Sequence, residues 1–451
     1  MTSLCHLTIL VLAVLFLAQP ATAADPAWKA GLGVRVITPK EPTWMAGYAA
    51  RKEPGNGKVH DLYVKVLALE DAKGRRLVVL TSDLIGIPRT LGEAVIADVR
   101  KTEKLPREAF LLAASHTHCG PVVRDNLADM YEMSDEHRKT LAAYNAQLQA
   151  WMAEAIRDAL ADLKPAHLGV GQGQAGFAVN RRKPTPTGVV NDENREGPVD
   201  HSVPVLRVAD PSGKLRAVLF GYACHNTTLA IQEFCGDYAG FAQAELEKAH
   251  PGAVALFWTG CGADANPLPR RTMELCQKYG KELATAVDKV LAGPLAEVKG
   301  DLTTRYGEVD LAYDTLPDKV QLQAQTLSKN YAEKTRATRL LVQLEKEGKL
   351  APGYPHYPVQ VVRLGEQVVW AALGGEVVVD YSTRLKKELA GGATVWVAGY
   401  VNDVMAYIPS ERVLKEGGYE ADSSMIYYGH PTKWAAGLED KIVAKVRELA
   451  R

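Results

Sequence analysis

Short runs of β-branched and other apolar residues alternate along this chain with longer stretches whose apolar residues recur at helical spacing. That alternation argues for an α/β fold, with mixed β-sheets flanked by helices. Strand-like runs fall at 32–37, 63–69, 76–82, 109–114, 203–208, 217–224 and 254–258, with a later set at 303–311, 358–364, 367–373 and 394–399. Helical spacing covers 89–102, 136–163, 273–290, 318–347 and 432–449. The stretch 318–347 carries many charges and few bulky apolar residues, which predicts an exposed helix or two helices packed as a hairpin. Pro, Thr, Gly, Asn and charge dominate 184–197, which reads as a surface loop.

The first segment stands apart from this pattern. Residues 7–18 are almost wholly apolar, too few to span a bilayer, and are followed by Ala21, Thr22 and Ala23, a small-x-small cleavage pattern. Residues 1–23 therefore read as a signal peptide, although no Lys or Arg precedes Leu7. The mature chain, 24–451, is then exported to the periplasm or extracellular space, and none of its later segments is apolar enough for a transmembrane helix. With 53 basic and 53 acidic residues the formal charge is zero, so composition favours no polyanionic partner such as nucleic acid. Of six cysteines, Cys5 leaves with the signal, and Cys119, Cys224, Cys235, Cys261 and Cys276 remain. That is no disulfide scaffold, though Cys224 and Cys235 could close a short loop in an exported protein.

Chemistry concentrates where the strand-like runs end. Ser115, His116, Thr117 and His118 follow the run 109–114. A His-x-His at a strand end can give a metal one ligand and a reacting group its acid or base. The spacing alone equally suits two structural histidines. His225 follows another run, within Cys224, His225, Asn226, Thr227, Thr228. Trp258 leads into a glycine-rich turn, Gly260, Cys261, Gly262, Ala263, Asp264, Ala265, Asn266, Pro267, whose free amides can face an anion. Gly374 and Gly375 place the Glu376 carboxylate on a sharp bend, and 399–409 holds Asn402, Asp403 and Tyr407.

In ordered succession these residues resemble the neutral, non-lysosomal ceramidases, whose N-terminal catalytic domain is a zinc amidase. The shared order starts with Ile37, Thr38, Pro39, Met45, Ala46, Gly47 and Tyr48. It continues through Thr81, Ser82, Asp83 and Leu84, the SHTHCGP segment, Asn180 and Arg181, Cys224 to Thr227, the GCGADANP turn and Gly374 to Glu376. Tyr400, Asn402, Asp403, Tyr407, Ile408, Pro409, Tyr419 and Glu420 complete it, so the likeness spans roughly residues 30 to 425. It implies a single catalytic domain over 24–451.

By that resemblance the Zn2+ ligands fall on His116, His225, Glu376 and Tyr407, a set with an open position, as catalytic zinc has. His118 matches a second histidine that hydrogen-bonds the reacting carbonyl or transfers a proton. Arg181 and Tyr419 match substrate-contacting positions, and Asn266 stands where the ceramidases carry a serine implicated in catalysis. Asn cannot attack, but its amide can donate to an oxyanion. The ceramidases also continue into a β-rich C-terminal domain, whereas these 451 residues end after one helix. Fold is accordingly expected to transfer more securely than ceramide as substrate.

The implied reaction is hydrolysis of an amide bond in a small-molecule or lipid-like acyl substrate by metal-activated water. His118, Arg181, Asn266 and Tyr407 are the catalytic candidates, and Asp264 is a second candidate base that equally suits a turn-fixing role. Three rivals remain: a zinc hydrolase of an ester, sugar or peptide derivative, a non-catalytic secreted binding protein with a vestigial metal site, and a thiolate site at Cys119, Cys224 and Cys261. Alternation along a strand turns Cys119 and Cys224 away from the histidines, as buried small residues.

Overall fold

The computed structural model describes residues 27–451, so the signal-peptide expectation and Cys5 lie outside the described residues. Among those described, no helix is long and apolar enough to cross a membrane.

The larger mixed sheet runs in the order Val254–Thr259, Leu215–Tyr222, Ser202–Ala209, Lys164–Gln174, Trp28–Val36, Tyr63–Asp71, Arg76–Ser82, Phe110–Ala114. Its inner pairs are antiparallel, while the outermost pair at each end is parallel. The sheet curls until its two edges meet: the Thr259 hydroxyl donates to the Ala114 carbonyl at 2.9 Å. Curling carries the ends of Phe110–Ala114, Leu215–Tyr222 and Val254–Thr259 to one place, and His116, His225 and Asn266 leave from there.

A second sheet, Leu302–Ala312, Gly353–Leu364, Val368–Leu373, Thr394–Ala398, packs on the first through Trp258, whose ring lies 5.3 Å from that of Trp370 and 6.3 Å from that of Trp396. Leu67, Leu111 and Leu219 from one sheet share a buried cluster with Val362, Leu364 and Ala372 from the other. Burying this apolar area locks the register of the two layers. It also brings Glu376 and Tyr407 to the histidines, since Glu376–Val377 pairs in parallel with Tyr407–Ile408. Gly375 makes the bend between them possible: its φ is +74°, and a Cβ there would meet Ile408 Cγ1 at 2.5 Å.

Several expectations need correction. Much of 184–197 is strand rather than loop, because Gly188–Asn194 pairs with Ala178–Thr185 across a tight turn. Its side chains are largely exposed, so no apolar alternation marks it. Three helices escape the periodicity reading, Asp237–Ala249, Val379–Glu388 and the short Glu411–Glu416. The first buries a face of small residues, Ala239, Gly240 and Ala242, too weakly apolar to signal. The 318–347 stretch takes the second of its two expected forms, two packed helices, Lys319–Gln325 and Tyr331–Glu347, each with its own side-chain cap from Asp318 or Asn330. The last helix begins only at Leu438. Cys224 and Cys235 are both free and buried. They pack into one apolar core instead of closing a loop, and Cys235 Sγ sits 3.8 Å from His60 Nε2.

Candidate metal centre

His116 leaves the strand Phe110–Ala114 with φ at +60°, a left-handed turn that throws its ring inward. Its Nδ1–H donates to the Ile85 carbonyl at 2.6 Å, and the ring packs 4.4 Å from that of Tyr400. His225 is anchored in the same manner, Nδ1–H donating to the Gly262 carbonyl at 2.8 Å. With both Nδ1 atoms committed as donors, each ring in its neutral form presents an unprotonated Nε2 to the interior. The two Nε2 atoms stand 3.1 Å from the same oxygen, Glu376 Oε2. The Tyr407 hydroxyl lies 3.3 Å from His225 Nε2.

Electrostatics sharpen this picture. Burial alone would raise the Glu376 carboxyl, but positive charge at the His116 and His225 rings, the place a bound cation would take, holds the group well below the usual carboxylate range. Burial first, then the Arg181 charge, lowers His225 to about 4, so its ring is neutral near pH 7. An ionised carboxylate oxygen thus faces ring lone pairs, and that oxygen is buried without a hydrogen-bond donor. Acceptors converging on acceptors repel one another unless a cation lies between them. Ligand atoms bound tetrahedrally at about 2.0–2.2 Å stand roughly 3.3–3.6 Å apart, close to the 3.1–3.3 Å separations here. The donor set therefore fits a metal ion.

His118 belongs to the same buried group: the ligand atoms of His116, His118 and His225 lie within 4.8 Å of one another, close enough to hold a metal. Its Nε2 is 3.2 Å from His116 Nε2. It differs from the other two in that its Nδ1 is buried without a partner, whereas metal-ligating histidines almost always donate their other N–H. Burial above all pulls this imidazole well below its ordinary value. Gly47, at φ +98°, presses against it so closely that a Cβ would stand 2.4 Å from His118 Nδ1.

The remaining expected residues gather on one side. Arg181 is 5 % exposed and donates through Nε to Glu420 at 2.7 Å and through Nη2 to the Tyr407 hydroxyl at 3.0 Å. Burial opposes its charge, but Tyr407 and Glu420 hold the guanidinium well above its ordinary value. Its Nη1 lies 3.4 Å from both His225 Nε2 and Asn266 Oδ1. Asn266 Oδ1 also accepts from the Thr227 hydroxyl at 3.4 Å, which leaves the Nδ2 amide for another acceptor. Tyr419 packs edge-on against the Tyr407 ring at 5.3 Å. Asp264 is committed elsewhere: it accepts from the Val379 amide at 2.9 Å and from Asn180 Nδ2 at 3.2 Å, a turn-fixing role. Cys119, Cys224 and Cys261 are all buried, and burial raises their thiols, so none supplies a thiolate.

Tyr428 escapes the sequence reading, and Tyr400 enters it only as part of the ordered likeness, with no role assigned. The Tyr428 hydroxyl donates to Glu376 Oε1, and the buried Tyr400 walls the histidine pair. Tyr428 lies 52 residues from Glu376 in an aromatic-glycine turn, and no local spacing links them. It also lines a cleft of about 430 Å³ shared with Tyr354, Arg339 and Gln343.

No curated protein matches the chain. Among solved structures it is similar to a ceramidase complexed with C2, at 20 % identity and a TM-score of 0.71, over 94 % of this chain and 75 % of that one. A neutral ceramidase from Pseudomonas aeruginosa is similar at 21 % identity and a TM-score of 0.68, over 94 % of this chain and 74 % of that one. At that identity the likeness shows the fold, including the mixed sheets expected from the sequence. The N-terminal model of the neutral/alkaline non-lysosomal ceramidases matches residues 28–304, well over half of the chain, and the protein belongs to that family.

Proposed function

We propose that this protein is a zinc-dependent amidohydrolase, acting after export on an N-acyl, ceramide-like amide. The observation that carries this reading is the convergence of the His116 and His225 Nε2 atoms on a buried Glu376 oxygen that no hydrogen-bond donor satisfies. His116, His225, Glu376 and Tyr407 would hold the ion. Bound there, zinc supplies a Lewis acid that polarises a carbonyl and brings the pKa of a bound water to about 7.

The chain's own groups supply the rest. His118, neutral and with an unpartnered Nδ1, is placed to take a proton and hand it to the leaving amine. Arg181, kept charged by Glu420, and the free Nδ2 of Asn266 are donors for the oxyanion that develops on the scissile carbonyl. Tyr428 orients Glu376 through its other oxygen, while Tyr400 and Tyr419 exclude water from the cluster. Asn266 takes no nucleophilic part, so the reaction proceeds by direct attack of water.

The test pairs metal analysis of the purified protein with hydrolysis of N-acyl amides and matching esters of varied chain length. About one zinc per chain, lost in His116→Ala, together with amide cleavage, is the expected result. Full zinc occupancy with no turnover of any amide or ester would favour the binding-protein alternative.

A further inference from the structure

Three guanidinium groups gather around Tyr48, whose ring lies 4.8 Å from that of His118. Arg51 and Arg271 stand over the Tyr48 ring at 5.3 and 5.1 Å. Arg271 donates to the Tyr48 hydroxyl at 2.8 Å and to the Thr227 and Leu229 carbonyls at 3.3 Å each. Arg270 donates to the Thr227 hydroxyl at 3.1 Å, and that hydroxyl is 3.4 Å from Asn266 Oδ1. The arginine pair is therefore tied, through a single threonine, to the residue that faces the reacting carbonyl.

None of these three arginines has a carboxylate within ion-pairing distance among the described residues, whereas Arg181 and Arg182 share Glu420. Their partners are carbonyls, hydroxyls and, for Arg51, the Gln232 side chain and the Met45 sulfur. Burial, then the adjacent Arg271 charge, pulls the Arg270 guanidinium below its ordinary value, as expected of neighbouring cations without a counter-ion. Arg271 adopts φ +93°, a conformation sparsely populated by residues with a Cβ, and its amide is pinned to the Thr228 carbonyl at 2.7 Å. This turn directs the side chain back over Tyr48. A chain with equal numbers of acidic and basic residues has no general reason to collect unpaired cations beside its metal centre. Guanidinium forks match planar or tetrahedral oxyanions.

We infer that Arg270 and Arg271, with Tyr48, form an anion subsite, and that the substrate is an N-acyl compound bearing a carboxylate or phosphate a few bonds from the scissile carbonyl. This rests on the amidohydrolase reading but replaces its ceramide-like substrate with an acidic one: a neutral ceramide-like amide leaves these cations unmatched, whereas an acidic N-acyl amide neutralises them.

Calorimetric titration of the zinc-loaded full chain separates the two claims. The ligands are ketone isosteres of N-hexanoylglycine, of O-phospho-N-hexanoylethanolamine and of N-hexanoylethanolamine, with CH2 replacing the amide NH so that none is hydrolysed. At least one anionic isostere should bind about tenfold or more tightly than the neutral one, and which of the two does so distinguishes carboxylate from phosphate. In Arg270→Gln/Arg271→Gln that preference should fall to near one, and circular dichroism should show the double variant folded. Should the double variant not fold, raising NaCl from 50 to 500 mM on the wild type should still weaken the anionic isosteres selectively. Equal affinity of all three isosteres for the wild type would overturn the anion subsite whether or not amides are cleaved. Anion preference without hydrolysis of any corresponding amide would retain the subsite and reject the hydrolase reading.

Discussion

Acid sensitivity of this fold should be traceable to His430, a buried histidine that supports the metal-side loops without touching the reacting atoms. Its Nε2–H donates to the Met405 carbonyl at 2.8 Å, and its Nδ1 accepts from the Tyr313 hydroxyl at 2.6 Å. Both bonds suit the neutral ring. Burial lowers its pKa from 6.5 to about 4, the Met405 bond opposing only in part. Between those values the unfolded chain holds a proton that the folded chain lacks, so stability rises with pH there. The contribution is complete above the unfolded value and is lost as pH falls to the folded one. A separation of about 2.5 units at 1.36 kcal/mol each gives roughly 3 kcal/mol between pH 7.5 and pH 4. Urea denaturation at pH 7.5, 5.5 and 4.5 measures it. His430→Gln, which can still donate and accept, should flatten the pH dependence by about that amount. An unchanged slope would refute the assignment. His60 is the control, since burial also lowers it to about 4 while its Nε2 accepts from the Gly236 amide at 2.8 Å. It should retain its own share of the acid loss in the His430 variant.

Other perturbations separate the roles at the centre. His118→Ala should keep its zinc, by atomic absorption, while turnover falls on the order of a hundredfold; equal metal loss in His116→Ala and His118→Ala would reverse the assignment of ligand and proton carrier. Asn266→Ala should lose two to three orders of magnitude in kcat, about 3 to 4 kcal/mol, with Asn266→Asp at least as harmful and Asn266→Ser mild. Wild-type rates in both Asn266→Ala and Asn266→Asp would place this side chain away from the reacting carbonyl. Gly47→Ala should cost about 1–3 kcal/mol of stability through its left-handed backbone and also displace His118, so a fall in kcat with zinc retained is expected. Full activity in that variant would show that the histidine has room to shift.

Much of the candidate site was legible in the linear chain because its polar groups stand where strands end, and strand ends are marked by a change from apolar run to glycine or polar residue. His116, His118, His225 and Asn266 all carry that mark, as does Glu376 behind its glycine pair. Elements without apolar contrast were lost instead: the exposed strand Gly188–Asn194 and the small-residue helix Asp237–Ala249 present no periodicity to read. What only the tertiary structure decided is which distant groups meet. Closure of the curled sheet brings Ala114 to Thr259, and the tryptophan-filled layer beneath carries Glu376 and Tyr407 to the histidines. Tyr428 on Glu376, Gly47 on His118 and the carboxylate-free arginines around Tyr48 likewise follow from packing. The physical reason is that apolar burial is non-directional: sequence pattern sets which faces must be buried, but only simultaneous packing of all of them sets the register that places polar atoms within a few ångströms.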